Sequence, residues 1–304
     1  MIALTSGMSY VDLQFQENPH VIATAVLHGA GGAALIDPGP SSTLPVLRRG
    51  LDEAGIRWSD VTAILLTHIH LDHGGACGTL VHDHPHLRVY VHAKGAPHLI
   101  NPEKILASAT RLYGDRMEAL WGECRPVPAE HLVVLAGGER IGAGGRELEV
   151  VYTPGHASHH VSYFNRDSGL AFVGDTAGVR VYPDAPVLAP TPPPDVDVEA
   201  WRGSLERIAA WQPDTLFLTH FGPSSRVGDH LSELADRLES DARLVKRSLE
   251  RPGTDAERIA WYIEEVRPVL RRTAGEVNAQ RSELAGRLDL SWMGLARYWR
   301  KRSG

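Results

Sequence analysis

The chain has 304 residues, 43% hydrophobic and 22% charged, enough for one large α/β domain with an appendage or for two ordinary domains, and a poor fit to disorder or a coiled coil. A formal net charge of −6 gives no global attraction for nucleic acid. Cys77 and Cys124 are the only cysteines, too few for a disulfide scaffold; with no export signal and no apolar run of about 18 residues, a cytoplasmic protein without a membrane span is expected.

From Tyr10 to Asp37, short apolar runs separated by Gly and Pro read as an antiparallel β start. Helical spacing over Leu44–Ala54 leads to Val61–Thr67 (VTAILLT), an apolar run short enough for a buried strand. Leu87–His92 alternates like a strand, and Asn101–Gly122 is helical with interruptions. A second β-rich block runs from His131 to Val173, with turns at Gly137-Gly138, Gly144-Gly145 and Asp167-Ser168-Gly169. Tyr182–Asp197 carries six prolines and is a stiff extended loop rather than a helix. Helix Val198–Trp211 and strand Thr215–Thr219 follow, and after Gly228 the pattern turns helical over Asp229–Leu249, Thr254–Leu270 and Ala274–Leu288. Two regions are therefore expected, 1–228 catalytic and 229–304 helical. The apolar faces of the last helices predict packing on the first region or on a second copy, as in a homodimer.

The chemistry is concentrated in Thr67-His68-Ile69-His70-Leu71-Asp72-His73-Gly74-Gly75. Three imidazoles and a carboxylate directly after an apolar strand suit zinc and similar divalent metals, and clustering them there costs desolvation with no packing gain. His156, Asp175 and His220 each follow another predicted strand, so the candidate ligands gather at carboxyl ends of strands. His82, His84 and His86 have no partner motif and read as a solvated helix end and turn. His159 and His160 read as neighbours of the ligand loop. The basic stretch Arg297–Arg302 reads as a solvated helix end.

The order HxHxDH, His, Asp, His resembles the metallo-β-lactamase superfamily, particularly its glyoxalase II-like branch, over about residues 10–225. The resemblance implies an αββα sandwich with an appended C-terminal helical region. It implies one metal on His68, His70 and His156, a second on Asp72, His73 and His220, and Asp175 bridging both with a water or hydroxide. Asp37, in Leu35-Ile36-Asp37-Pro38-Gly39, resembles the family's early Asp turn and supports the ligands, with ordinary turn capping as the alternative. Two divalent ions against Asp72, Asp175 and a hydroxide leave the site about one charge positive, which favours an electron-rich carbonyl or phosphoryl group.

The function expected is thus a binuclear metal-dependent hydrolase, with zinc first and manganese or iron as alternatives. A metal-bound hydroxide would cleave an ester, thioester or lactone in a small-molecule substrate, with Asp72 and Asp175 as the catalytic carboxylates. The alternatives are a phosphoester hydrolase of the same fold and a mononuclear iron persulfide dioxygenase, which shares much of the ligand set. Tyr113, Trp121 and Tyr182 are the candidates for substrate contact, the first two as a pocket wall and the third on the proline-rich lip.

Overall fold

A computed structural model describes residues 1–303. Two β-sheets lie face to face. The first contains β1 (Ile2–Thr5), β2 (Met8–Asp12), β3 (Ala23–Gly29), β4 (Gly32–Ile36), β5 (Val61–Leu65), β6 (Arg88–His92) and β7 (Leu132–Leu135), paired in chain order. Its first four strands are antiparallel, and β4 to β7 are parallel. Parallel neighbours need crossovers. These are supplied by α1 (Leu44–Glu53), then α2 (Leu71–Gly74) and α3 (Cys77–Asp83), then α4 (Ala96–Ile100), α5 (Glu103–Tyr113) and α6 (Met117–Trp121).

The second sheet contains β8 (Arg140–Ala143), β9 (Arg146–Tyr152), β10 (Val161–Asn165), β11 (Leu170–Phe172), β12 (Thr215–Leu218) and β13 (Gly222–Ser224), in the order β13-β12-β11-β10-β9-β8. All its pairs are antiparallel except β11 with β12, which the crossover helix α7 (Val198–Ala210) joins. Four helices complete the described chain: α8 (Val227–Leu249), α9 (Asp255–Ala274), α10 (Glu276–Ala285) and α11 (Leu288–Ser303). None of the helices in the described residues is long and apolar enough to cross a membrane.

The period-2 alternation of the strands decides the layering. Along β4, Ala34 and Ile36 face the other sheet while Ala33 and Leu35 face α1 and α3; along β12, Phe217 faces inward while Leu216 and Leu218 face helices. Both sheets are thus apolar on both faces, and helices cover the outsides. The resulting α/β fold is a four-layer sandwich with a C-terminal helical region. That region shares a core with the second sheet. The buried stripe of α8 (Leu231, Leu234, Leu238, Ala242, Val245) repeats at helical spacing, and it packs with Tyr262 and Val266 of α9 and with Trp292 and Leu295 of α11 against Val173, Leu216 and Leu218. Helix α11 extends the helical pattern beyond Leu288 as a full 16-residue element, because its aromatic residues are apolar enough to bury despite the cations around them.

Candidate metal centre

Five strand ends converge on one edge of the sandwich. Asp37 follows β4, the cluster 67–73 follows β5, Thr153–His156 follows β9, Gly174–Asp175 follows β11 and Thr219–His220 follows β12. His68, His73, His156, Asp175 and His220 are buried, whereas His70 is partly exposed and the Asp72 side chain is 24% exposed. Access is therefore from the side of His70 and Asp72.

The rings meet through particular nitrogens. His68 Nε2 lies 2.9 Å and His156 Nε2 3.0 Å from His70 Nδ1. His220 Nε2 lies 3.2 Å from His73 Nε2 and 3.4 Å from Asp72 Oδ2. Asp175 joins the two groups: Oδ2 is 3.4 Å from His156 Nε2, and Oδ1 is 3.2 Å from His73 Nε2 and 3.5 Å from His220 Nε2. The donor atoms of His68, His70 and His156, of His68, His73 and Asp175, and of Asp72, His73 and His220 form three groups, each with its atoms within 4.8 Å of one another.

The far side of each buried ring is tied to the protein, which fixes its tautomer. His156 Nδ1–H donates to the Pro190 carbonyl at 2.8 Å, and His220 Nδ1–H to the Val21 carbonyl at 2.6 Å. His73 Nδ1–H donates to Asp37 Oδ2 at 2.8 Å. Since the Thr67 hydroxyl donates to the same oxygen at 2.7 Å, it accepts from His68 Nδ1–H at 3.1 Å. Asp37 also receives Thr67 N–H at 2.8 Å and the Thr219 hydroxyl at 2.8 Å. Four donors on one buried carboxylate explain why a non-glycine residue is held there at φ +51°.

This pattern fits a cation. With their Nδ1 atoms protonated, His68 and His156 both aim Nε2 lone pairs at His70 Nδ1, which has at most one proton to give. Asp175 Oδ1 is buried without a hydrogen bond despite the nearby ring nitrogens. Tetrahedral zinc with bonds of about 2.0–2.1 Å holds its ligands roughly 3.3 Å apart, close to the spacings here.

Electrostatics divides the cluster. Burial, then the charges of His73, His70 and His156, pushes the His68 imidazolium far below its usual range, and burial with His156 takes His70 down to about 4 against the pull of Asp72 and Asp175. For His73 burial also acts downward, but Asp175, Asp37 and Asp72 together raise it well above the ordinary value; His220 is raised by Asp175 and Asp72. Asp72 is held down to about 2: burial opposes ionisation, and His73 and His220 outweigh it. The carboxylates thus gather on the His73–His220 side, where bound cations would displace protons.

The sequence-singled residues sort themselves. Tyr113 meets Trp121 edge to face at 5.1 Å, and Trp121 stacks on Phe15 at 5.6 Å. Tyr182 is exposed, its ring 6.2 Å from that of His20. His84 stacks on Trp58 and His86 bonds to backbone carbonyls of Trp58 and Val61, away from the cluster. His160 lies within it: its Nδ1 is 2.9 Å from Thr153 Oγ1 and 3.0 Å from Thr176 Oγ1, and its ring is 5.0 Å from that of His68. Thr67 and Thr219 carried no assigned role in the amino-acid string, although each directly precedes a candidate ligand histidine, a repeated Thr-His step that was the available signal.

Residues 17–220 match the Metallo-beta-lactamase superfamily profile. The chain is 28% identical over 229 residues to the metallo-beta-lactamase fold-containing protein ST1585 of Sulfurisphaera tokodaii, covering 73% of this chain and 82% of that one. It is 31% identical over 188 residues to a hydroxyacylglutathione hydrolase of Aeromonas hydrophila, covering 60% of this chain but 54% of that enzyme. The crystal structure of metallo-beta-lactamase family protein TTHA1429 from Thermus thermophilus superimposes with a TM-score of 0.71 over 99% of this chain and 95% of its own, at 23% identity, a likeness of fold that extends through the C-terminal helices. The chain belongs to the metallo-β-lactamase superfamily and is a metal-dependent hydrolase.

Proposed function

We propose that this hydrolase is binuclear and cleaves an ester, thioester or lactone in a small molecule. The observation that carries the reading is Asp175, a buried carboxylate with one oxygen toward His156 and the other toward His73 and His220. His68, His70 and His156 hold one ion; Asp72, His73 and His220 hold the other; Asp37 keeps His73 in register. Imidazole nitrogen and carboxylate oxygen favour zinc, with manganese and iron accepted by the same set. Two bound divalent ions would lower the pKa of a shared water toward about 7 and polarise the attacked group.

The chain's own residues do the rest. The buried rings exclude bulk water from all but the His70–Asp72 side, so the substrate arrives there. Asp72 turns Oδ2 toward His220, which leaves Oδ1 to take a proton from the attacking water and pass it to the leaving group. The relative named hydroxyacylglutathione hydrolase supports acyl rather than phosphoryl chemistry.

The test joins elemental analysis of gently purified protein to a panel of esters, lactones, thioesters and phosphodiesters, with oxygen uptake followed on a persulfide. Two ions per chain and acyl cleavage without oxygen uptake are expected. One ion that added zinc or manganese leaves unchanged, with iron-dependent oxygen consumption and no cleavage, would sink the reading.

A further inference from the structure

The turn that carries Asp175 is held from the C-terminal helical region. Asp175 stands in the short 3₁₀ turn Gly174–Ala177, and its last three carbonyls each have a fixed partner. Asp175 O accepts from Gly178 N–H at 2.9 Å, Thr176 O from the Trp201 indole N–H of α7 at 2.7 Å, and Ala177 O from His230 Nε2–H of α8 at 2.7 Å. Trp201 and His230 are fully buried. A turn clamped by two buried rings on two helices cannot shift without leaving a buried carbonyl unpaired.

The other ring nitrogen of His230 reaches the chain that follows His220. Because the Ala177 carbonyl can only accept, the proton of His230 is on Nε2, and Nδ1 accepts from the Ser224 hydroxyl at 3.1 Å. Burial pushes the imidazolium down to about 4 against the pull of the Ala177 carbonyl, so the ring has a single proton to give at neutral pH. Ser224 ends β13, four residues after His220. One ring therefore joins the turn of Asp175 to the strand that follows His220. A second tie runs directly between them, since Arg180 N–H donates to the His220 carbonyl at 2.6 Å. Arg180 is itself buried and pairs through Nη2 with Glu233 of α8, whose Oε1 takes Val187 N–H at 2.8 Å. His230 and Glu233, three positions apart on one helix, grip both ends of the segment 177–187.

From this arrangement we infer that His230 is a positioning residue for the metal centre: by joining Ala177 to Ser224 it sets the separation of Asp175 from His220, and with it the affinity of the ion on the Asp72, His73 and His220 side. Asp175 Oδ1 and His220 Nε2 are 3.5 Å apart, and a metal site tolerates only about 0.2 Å of error in its bond lengths. The ligands His68, His70 and His156 come from the loops after β5 and β9, whereas the hydrogen bonds of His230 go to the chain after β11 and β12. The inference rests on the binuclear reading above and adds the residue that holds its second site.

The experiment uses the full chain loaded with zinc and removes the metal by competition with a chromophoric chelator; denaturant midpoints and amide hydrogen exchange over residues 178–180 are read on the same samples. Wild type should release two ions in two steps, which the reference variants Asp72→Ala and His70→Ala assign to their groups. His230→Ala should weaken the step of the Asp72 group by about 10–100-fold, the usual effect of losing a residue that orients a ligand, and leave the other step little changed. Exchange at Gly178 and Arg180 should quicken about tenfold, the worth of one buried hydrogen bond. His230→Gln, whose amide N–H stands where Nε2–H did, should recover most of both losses, and it carries the test if the alanine variant folds poorly. Ser224→Ala should act in the same direction and add nothing to His230→Ala in the double variant, as coupling through one ring requires. Ser248→Ala removes the acceptor of Trp292 Nε1–H, a 2.7 Å bond on the same helix; it should lower the denaturant midpoint without altering metal release or exchange, which separates positioning from stability. Unchanged metal release in His230→Ala, equal weakening of both steps, or the same effect from Ser248→Ala would each overturn the inference. A wild type that binds one ion defeats the binuclear reading instead. Exchange quickened by His230→Ala and not by Ser248→Ala would then still support His230 as the clamp on the Asp175 turn, and exchange indifferent to it would end the inference as well.

Discussion

At the scale of the residue, the site depends on what holds each ligand as much as on the ligand. Asp37 receives four hydrogen bonds, from Thr67 N–H, the Thr67 and Thr219 hydroxyls and His73 Nδ1–H. Asp37→Ala should weaken metal binding by about 10–100-fold, the usual effect of losing such a partner, measured by competition with a chelator; unchanged affinity would show that His73 needs no support. On the proposed binuclear reading, Asp175→Ala should loosen both ions and remove activity, while His84→Ala, on a ring stacked against Trp58, should do neither. Equal losses in the two variants would undo the separation of ligand from bystander histidines. Gly174 stands at φ +44°, where an added Cβ would come within 2.5 Å of Thr67 Oγ1 and 2.7 Å of His160 Nε2. Gly174→Ala should therefore displace Asp175 and lower metal content, an effect that elemental analysis reads directly.

At the scale of the element, strand ends build the site and helices fix the strands. The chain between β6 and β7 packs Tyr113 on Trp121 and Trp121 on Phe15, and α8 and α9 bury a polar contact of their own. Asp241 on α8 is buried, its Oδ2 lies 3.2 Å from Arg237 Nε, and Tyr262 of α9 packs near enough to feel its charge. Burial raises the carboxyl to about 6 against the pull of Arg237. Because that value lies above the ordinary one of 3.8, the folded state binds the extra proton between the two. Stability should fall as pH rises from about 4 to 6 and then stay level, so far as Asp241 contributes. In metal-free Asp241→Asn that slope should disappear, as denaturant midpoints across the interval would show; an unaltered pH dependence would mean that the carboxyl titrates normally.

At the scale of the molecule, the four layers share their cores, and the last helices are part of that arrangement. Phe164, Val173, Leu216 and Leu218 on the outer face of the second sheet are covered by α7, α8, α9 and α11. Deleting residues 229–304 should expose that face and give insoluble or aggregated protein, since contiguous apolar surface of this kind is not left open on soluble monomers. A soluble, fully active fragment on size-exclusion chromatography would make the helices dispensable.

The strand-and-helix order and the clustering of candidate ligands were legible in the amino-acid string, because both are local properties. Period-2 apolar runs mark β4 and β12, 3.6-period stripes mark α8, and a histidine directly after an apolar strand is visible wherever it occurs. The family resemblance was carried there too, through the HxHxDH spacing and the later His, Asp and His. How those residues meet was settled by the folded arrangement alone. Asp37 and Thr219 are 182 positions apart yet share a hydrogen bond, and His220 is fastened to Val21 across 199. Likewise Arg287 lies far along the chain from Tyr113 and still packs on its ring. Contacts of this range leave no periodic trace, since they are fixed by which sheet faces which and by the need of each buried polar atom for a partner.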